Sequence, residues 1–172
     1  MISNLFLFIL AVYVTIVPIP ILEHVFVMCE SQFEVVTNPG TIIISPDYPN
    51  FYQKNLNCKV TLKFQKEVSI SFLDFSVAGL SNMDFSVAGH NDCFRYSDYL
   101  EVHDSNFNNK LTLDNRYSKS SLIKLLCGRE VPFPMSSTGN SMTLVFHSSI
   151  GGATKRKRGF KIVACEGLSP CF

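Results

Sequence analysis

Six cysteines, at positions 29, 58, 93, 127, 165 and 171, constrain this chain of 172 residues more than any other feature. No two of them form the C-x-x-C pair of a zinc or redox motif. An even number at wide spacing instead fits disulfides, which persist in an oxidising compartment. Cysteine count alone leaves the connectivity open, because six cysteines allow many pairings.

The N-terminus agrees with that compartment. Residues 1–22 carry no charged side chain, and Glu23 is the first. An apolar core near Leu5 to Val17, broken by Pro18 and Pro20, reads as a secretory signal peptide. Cleavage between 22 and 28 keeps the cysteine number even. The rival reading is an uncleaved anchor, since Leu5 to Leu22 is just long enough to span a bilayer. The expected organisation is a signal peptide over 1–28, one domain over 29–165 and a short tail over 166–172. Beyond residue 30 no run is apolar enough to cross a membrane. Charge points to no partner: 15 Lys and Arg against 14 Asp and Glu give +1, which speaks against nucleic-acid binding.

Alternation dominates the rest. Cys58, Val60, Leu62 and Phe64 fall on one side of a strand, with Lys59, Thr61 and Lys63 on the other. Val68, Ile70 and Phe72 repeat the pattern against Ser69 and Ser71. Leu100 and Val102 oppose Tyr99 and Glu101; Met142, Leu144 and Phe146 oppose Ser141, Thr143 and His147. Leu122 to Leu126 is a short apolar strand, and Phe160, Ile162 and Ala164 line the inside of a last one. Proline, glycine and asparagine mark the turns, as in Asn38-Pro39-Gly40 and Ser45-Pro46-Asp47-Tyr48-Pro49-Asn50. About seven short strands and no helical stripe after the signal predict an all-β sandwich.

One segment repeats. Asp74-Phe75-Ser76-Val77-Ala78-Gly79 recurs ten positions on as Asp84-Phe85-Ser86-Val87-Ala88-Gly89. A single short repeat is too little for a solenoid. It reads as a tandem duplication that lengthens a loop, with one copy at the strand end and the other exposed.

Placed in order, these pieces resemble a CUB domain over roughly residues 29–164. The carriers are Cys29; Gly40-Thr41-Ile42 with Ser45-Pro46-Asp47-Tyr48-Pro49 and Tyr52; Cys58; Cys93 with Asp98-Tyr99-Leu100-Glu101-Val102; Cys127-Gly128; Asn140 to Phe146; and Gly159-Phe160. The resemblance implies a jelly-roll-like sandwich of two antiparallel sheets. It also implies disulfides Cys29–Cys58 and Cys93–Cys127. Cys165 and Cys171 are open to a bridge across a tight loop, to remaining free, or to a bond with another chain.

The family resemblance also implies where calcium would bind. Of the usual ligand positions, Tyr52 and Asp98 match. The Glu position falls on Ala88, or on Ala78 if the first repeat is aligned, and the late Asp position on Ser149. Calcium needs six or more oxygens, several of them carboxylate. With two of three carboxylates gone, and Asp98 displaced further from Cys93 than the family pattern has it, the expectation is no calcium site and no other cofactor.

Lys155-Arg156-Lys157-Arg158, next to Gly159, is a candidate site for sulfated glycans or acidic proteins. The rival readings are a solvated loop and a dibasic processing site. The four histidines form no His-x-x-x-His pair, no Gly-x-Ser-x-Gly elbow is present, and no catalytic residues are assigned. No Asn-x-Ser/Thr sequon occurs.

The reading is therefore a secreted, non-catalytic binding module for an extracellular protein or glycan, similar to the one-domain spermadhesin type. Its loops at residues 79–98 and 155–158 are the expected contacts. Membrane attachment follows only if the N-terminal segment is uncleaved. The alternative is a truncated or accessory fragment of a tolloid-like or complement-like CUB protease that positions substrate.

Overall fold

In the computed structural model, the residues described are 24–29, 34–78, 93, 98–104, 122–150, 157–167 and 171. They form ten strands and no helix. One five-stranded sheet contains, in spatial order, β1 (Val25–Val27), β3 (Thr41–Ile44), β10 (Gly159–Glu166), β5 (Val68–Ser76) and β8 (Met135–Ser136). The other contains β2 (Glu34–Val36), β4 (Asn57–Lys63), β9 (Ser141–His147), β6 (Tyr99–Asp104) and β7 (Leu122–Leu126).

Alternation in the sequence becomes the interior of this sandwich. Ile43, Ile70, Phe160 and Ile162 of the first sheet share one core with Val60, Leu62, Leu100, Val102, Met142, Leu144 and Phe146 of the second. Burying such aliphatic and aromatic side chains is the main stabilising term, of roughly 1.5–3 kcal/mol for each Val, Leu, Ile, Phe or Met.

The structure departs from the expected pattern in four places. First, β1, β2 and β8 were not separately expected, because two or three residues carry no measurable period. The first two add a parallel strand to one edge of each sheet, so the sheets are not wholly antiparallel. Second, the sheet begins ahead of Cys29. Val25–Val27 pairs with Ile42–Ile44, and Met28 is fully buried in the core.

Third, the expected wet face of β5 is dry: Ser69 and Ser71 are buried. The C-terminal residues cover them. Gly167 N–H donates to the Glu67 carbonyl, Ser69 Oγ donates to the Gly167 carbonyl, and Cys171 N–H donates to Ser71 Oγ. Fourth, Ser141 and Thr143 of β9 are buried too. This strand lies between β4 and β6, and Thr143 Oγ1 meets Thr61 Oγ1 at 3.3 Å.

The first copy of the repeat, from Asp74 to Ala78, occupies the end of β5 and its continuation, with Phe75, Val77 and Ala78 buried. The second copy, including Ala88, lies outside the described residues.

Candidate functional site

Three chain segments meet at one end of the second sheet. Asn57 at the start of β4 and Tyr99 at the start of β6 both lie opposite His147 at the end of β9. Asp98 precedes β6, Ser148 and Ser149 follow β9, and the loop carrying Tyr52 leads into β4, so sheet register alone brings the four together.

Ser148 fastens this loop. Its hydroxyl accepts from Leu56 N–H at 2.8 Å and donates to the Gln53 carbonyl at 2.8 Å, while its own N–H donates to the Leu56 carbonyl at 3.0 Å. The Tyr52 ring then packs edge-on against Phe146, with centroids 5.1 Å apart. The Tyr52 hydroxyl donates to Asp98 Oδ2 at 2.8 Å and accepts from Ala78 N–H at 3.0 Å. Asp98 Oδ1 accepts from Ser149 N–H at 2.8 Å and from the Ser149 hydroxyl at 3.1 Å. The Asp98 backbone N–H returns to the Ala78 carbonyl at 3.1 Å. Asp98 is buried, and its carboxylate is shared between two loops rather than turned to solvent. The Tyr52 hydroxyl is pushed well above its ordinary pKa of 10.0, chiefly by burial and further by the Asp98 charge; the Ala78 N–H works the other way.

Comparison with known proteins identifies the surroundings of this clasp. The CUB domain family profile matches residues 29–163, most of the chain. The chain belongs to the CUB domain family. It is 33% identical over 139 residues to human tumor necrosis factor-inducible gene 6 protein, covering 78% of this chain and 41% of that protein. It is 40% identical over 80 residues to the inactive serine protease PAMR1 of Pongo abelii, covering 44% of this chain and 9% of that protein. The chain thus spans less than half the length of either relative. In fold it is similar to the crystal structure of the MASP-1 CUB2 domain bound to Ca2+, with a TM-score of 0.53, 22% identity, and coverage of 77% of this chain and 96% of that one.

Tyr52 and Asp98 stand at the positions where the CUB resemblance implies calcium ligands. The described donors do not fit that ion. Among the described residues at this end only the Asp98 carboxylate is present, and each of its oxygens already accepts a protein hydrogen bond. Ser149 supplies a hydroxyl and an N–H where the family pattern has a second carboxylate. The described residues alone do not meet calcium's demand for several anionic oxygens. Asp74, another acidic residue nearby in sequence, is engaged elsewhere: it accepts from the Tyr48 hydroxyl at 3.0 Å and pairs with Arg158 at 3.2 Å.

The basic tetrad divides. Lys155 and Arg156 lie outside the described residues. Lys157 is only 8% exposed, and its carbonyl accepts from Tyr52 N–H. Arg158 is held by Asp74, and its carbonyl accepts from Ser45 Oγ. Gly159 follows with φ +87°, where an added Cβ would overlap the Ser45 side chain. The second half of the tetrad is thus the entry to β10 and fixes the clasp loop.

The cysteines pair as Cys29–Cys58, Cys93–Cys127 and Cys165–Cys171, and none of the six is free. Among the histidines, His147 stacks on Tyr99 with centroids 5.0 Å apart, and buried His103 contacts Glu101 at 2.8 Å. The hydrogen-bonding roles of Ser148 and Ser149 carry no local sequence signal; Ser149 stands out in the sequence only as the position where the CUB pattern has an acidic residue. Flanking the clasp, Phe51 is 48% and Ile150 76% exposed.

Proposed function

We propose that this CUB domain is an extracellular, non-catalytic binding module that engages a protein or sulfated glycan through the end of the sandwich built on Tyr52, Asp98 and Ser149, without calcium. The observation that carries this reading is the closed clasp: Asp98 is satisfied by protein donors, so the loops are held without a metal. Exposed Phe51 and Ile150 stand one residue from two of the clasp's members and offer apolar contact area on a rigid support. Membership of the CUB family supports an interaction role, and the likeness to a relative named as an inactive protease supports the absence of catalysis. Export through the N-terminal segment and an extracellular location follow from the same reading, as do three disulfides.

Thermal unfolding of the oxidised chain in millimolar calcium and in chelator tests the metal-free clasp. Equal midpoints are expected, and a calcium-dependent rise of several degrees would overturn it. Heparin-column retention tests the glycan reading. The informative variant is Lys155→Ala with Arg156→Ala, which spares the two residues that hold β10. Earlier elution of the variant supports an anionic ligand; equal elution retires the glycan and leaves a protein ligand at Phe51 and Ile150.

A further inference from the structure

Among the described strands, β1 and β8 form the edges of the first sheet, and β2 and β7 those of the second. An edge strand carries backbone N–H and C=O groups that no neighbour takes, and proteins blunt such edges with charge, proline or shortness. Three of these edges carry a blunting residue. β8 is two residues long and follows Pro134, which has no N–H to donate. β2 contains Glu34, and β7 carries Lys124 at its centre. β1 is Val25-Phe26-Val27, with neither charge nor proline, and its residue types all favour strands.

Pairing with β3 fixes which groups of β1 are open. Ile42 N–H donates to the His24 carbonyl at 2.7 Å, and Met28 N–H donates to the Ile44 carbonyl at 3.0 Å. Alternate residues of a strand turn their backbone groups to opposite edges. His24, Phe26 and Met28 therefore face β3, and Val25 and Val27 turn their N–H and C=O groups to the open side. The Val25 side chain is 55% exposed, whereas Phe26 packs against the core.

These open groups match a second copy of the same strand. In an antiparallel pair, residues that exchange both hydrogen bonds alternate with residues that exchange none. Set against itself about Phe26, β1 brings Val25 opposite the partner's Val27, and Val27 opposite the partner's Val25. Both are the outward-turned residues, so every open N–H meets an open C=O. No like charges come face to face, whereas β7 set against itself about its centre would put Lys124 against the partner's Lys124. We propose that β1 is a pairing edge for a second copy of this chain, joined antiparallel about Phe26 so that the two first sheets become one. A two-fold axis relates the copies. It reverses the strand direction, so the Tyr52–Asp98–Ser149 ends point opposite ways. With three residues a side the contact is small, and the dimer forms and dissociates with concentration.

Sedimentation of the oxidised chain retaining His24 to Val27, over a concentration series, tests this. A monomer–dimer equilibrium is expected. In concentrated solution the Val25 and Val27 amides should exchange with solvent more slowly than in dilute solution, while the Phe26 amide, already turned to β3, changes less. Val25→Pro removes a donor that β3 does not use. It is expected to keep the thermal midpoint of dilute solution and to abolish the dimer. Val25→Thr keeps that donor and should still dimerise. A wild type that stays monomeric throughout the series would overturn the proposal and leave the edge to an extended strand of another protein. So would a dimer that survives Val25→Pro, or one lost in Val25→Thr, which would place the contact on side chains. The amide readout needs no variant: protection that rises with concentration elsewhere than at Val25 and Val27 would overturn the proposal as well.

Discussion

At the scale of single residues, the Tyr52 hydroxyl connects three segments that sequence leaves far apart. Tyr52→Phe removes the acceptor of the buried Ala78 N–H and one donor to Asp98. A loss of about 1–3 kcal/mol in denaturant unfolding is expected. The alkaline limb of the stability profile should change as well. The folded chain holds the Tyr52 proton more tightly than the unfolded chain, so this contribution is complete below the ordinary value of 10.0 and is lost as pH rises above it. Above pH 10 the wild type should lose up to about 1.4 kcal/mol per pH unit from this group, and Tyr52→Phe should decline less steeply over the same range. Gly159→Ala should cost more than the ~1–2 kcal/mol of a left-handed backbone, because its Cβ also meets Ser45; equilibrium unfolding checks it. Tyr52 and Asp98 were legible from their motif neighbours. The bonds of Ser149 to Asp98 and of Ser148 to Gln53 and Leu56 were not, because a serine's hydrogen bonds depend on what the fold brings to it.

At the scale of elements, period-two alternation located β4, β5, β6 and β9, since an inner face must be apolar along its whole length. It misjudged outer faces. Ser69 and Ser71 look solvent-facing until the chain end folds across them, and the Cys165–Cys171 bridge closes that end. Replacing both of these cysteines by serine should cost about 2 kcal/mol in the chain-entropy account, against about 4 kcal/mol for Cys93 and Cys127, which close a longer loop. Paired denaturation curves would show the ordering, and the short-loop variant should still fold. The edge strand β1 was hidden for another reason: three residues next to an apolar leader have no pattern of their own. A chain beginning at Cys29 lacks that strand and the buried Met28, and should be less stable than one beginning at His24 by at least about 2 kcal/mol. On the proposed extracellular reading, N-terminal sequencing of the processed chain should place its first residue at or before His24.

At the scale of the molecule, the ten strands of the described residues form two sheets whose register places Tyr52, Asp98 and Ser149 at one end and Cys171 over the outer face of β5. The amino-acid sequence by itself determined the all-β class, the order of the main strands and the family. Those rest on local alternation, turn residues and motif spacing, which neighbouring residues express without the rest of the fold. Tertiary structure alone decided that Asp98 is occupied by Tyr52 and Ser149, that Lys157 and Arg158 lead into β10, and that the first copy of the repeat completes β5. Each of those depends on contacts between segments dozens of residues apart, and a one-dimensional pattern holds no record of which segments will meet.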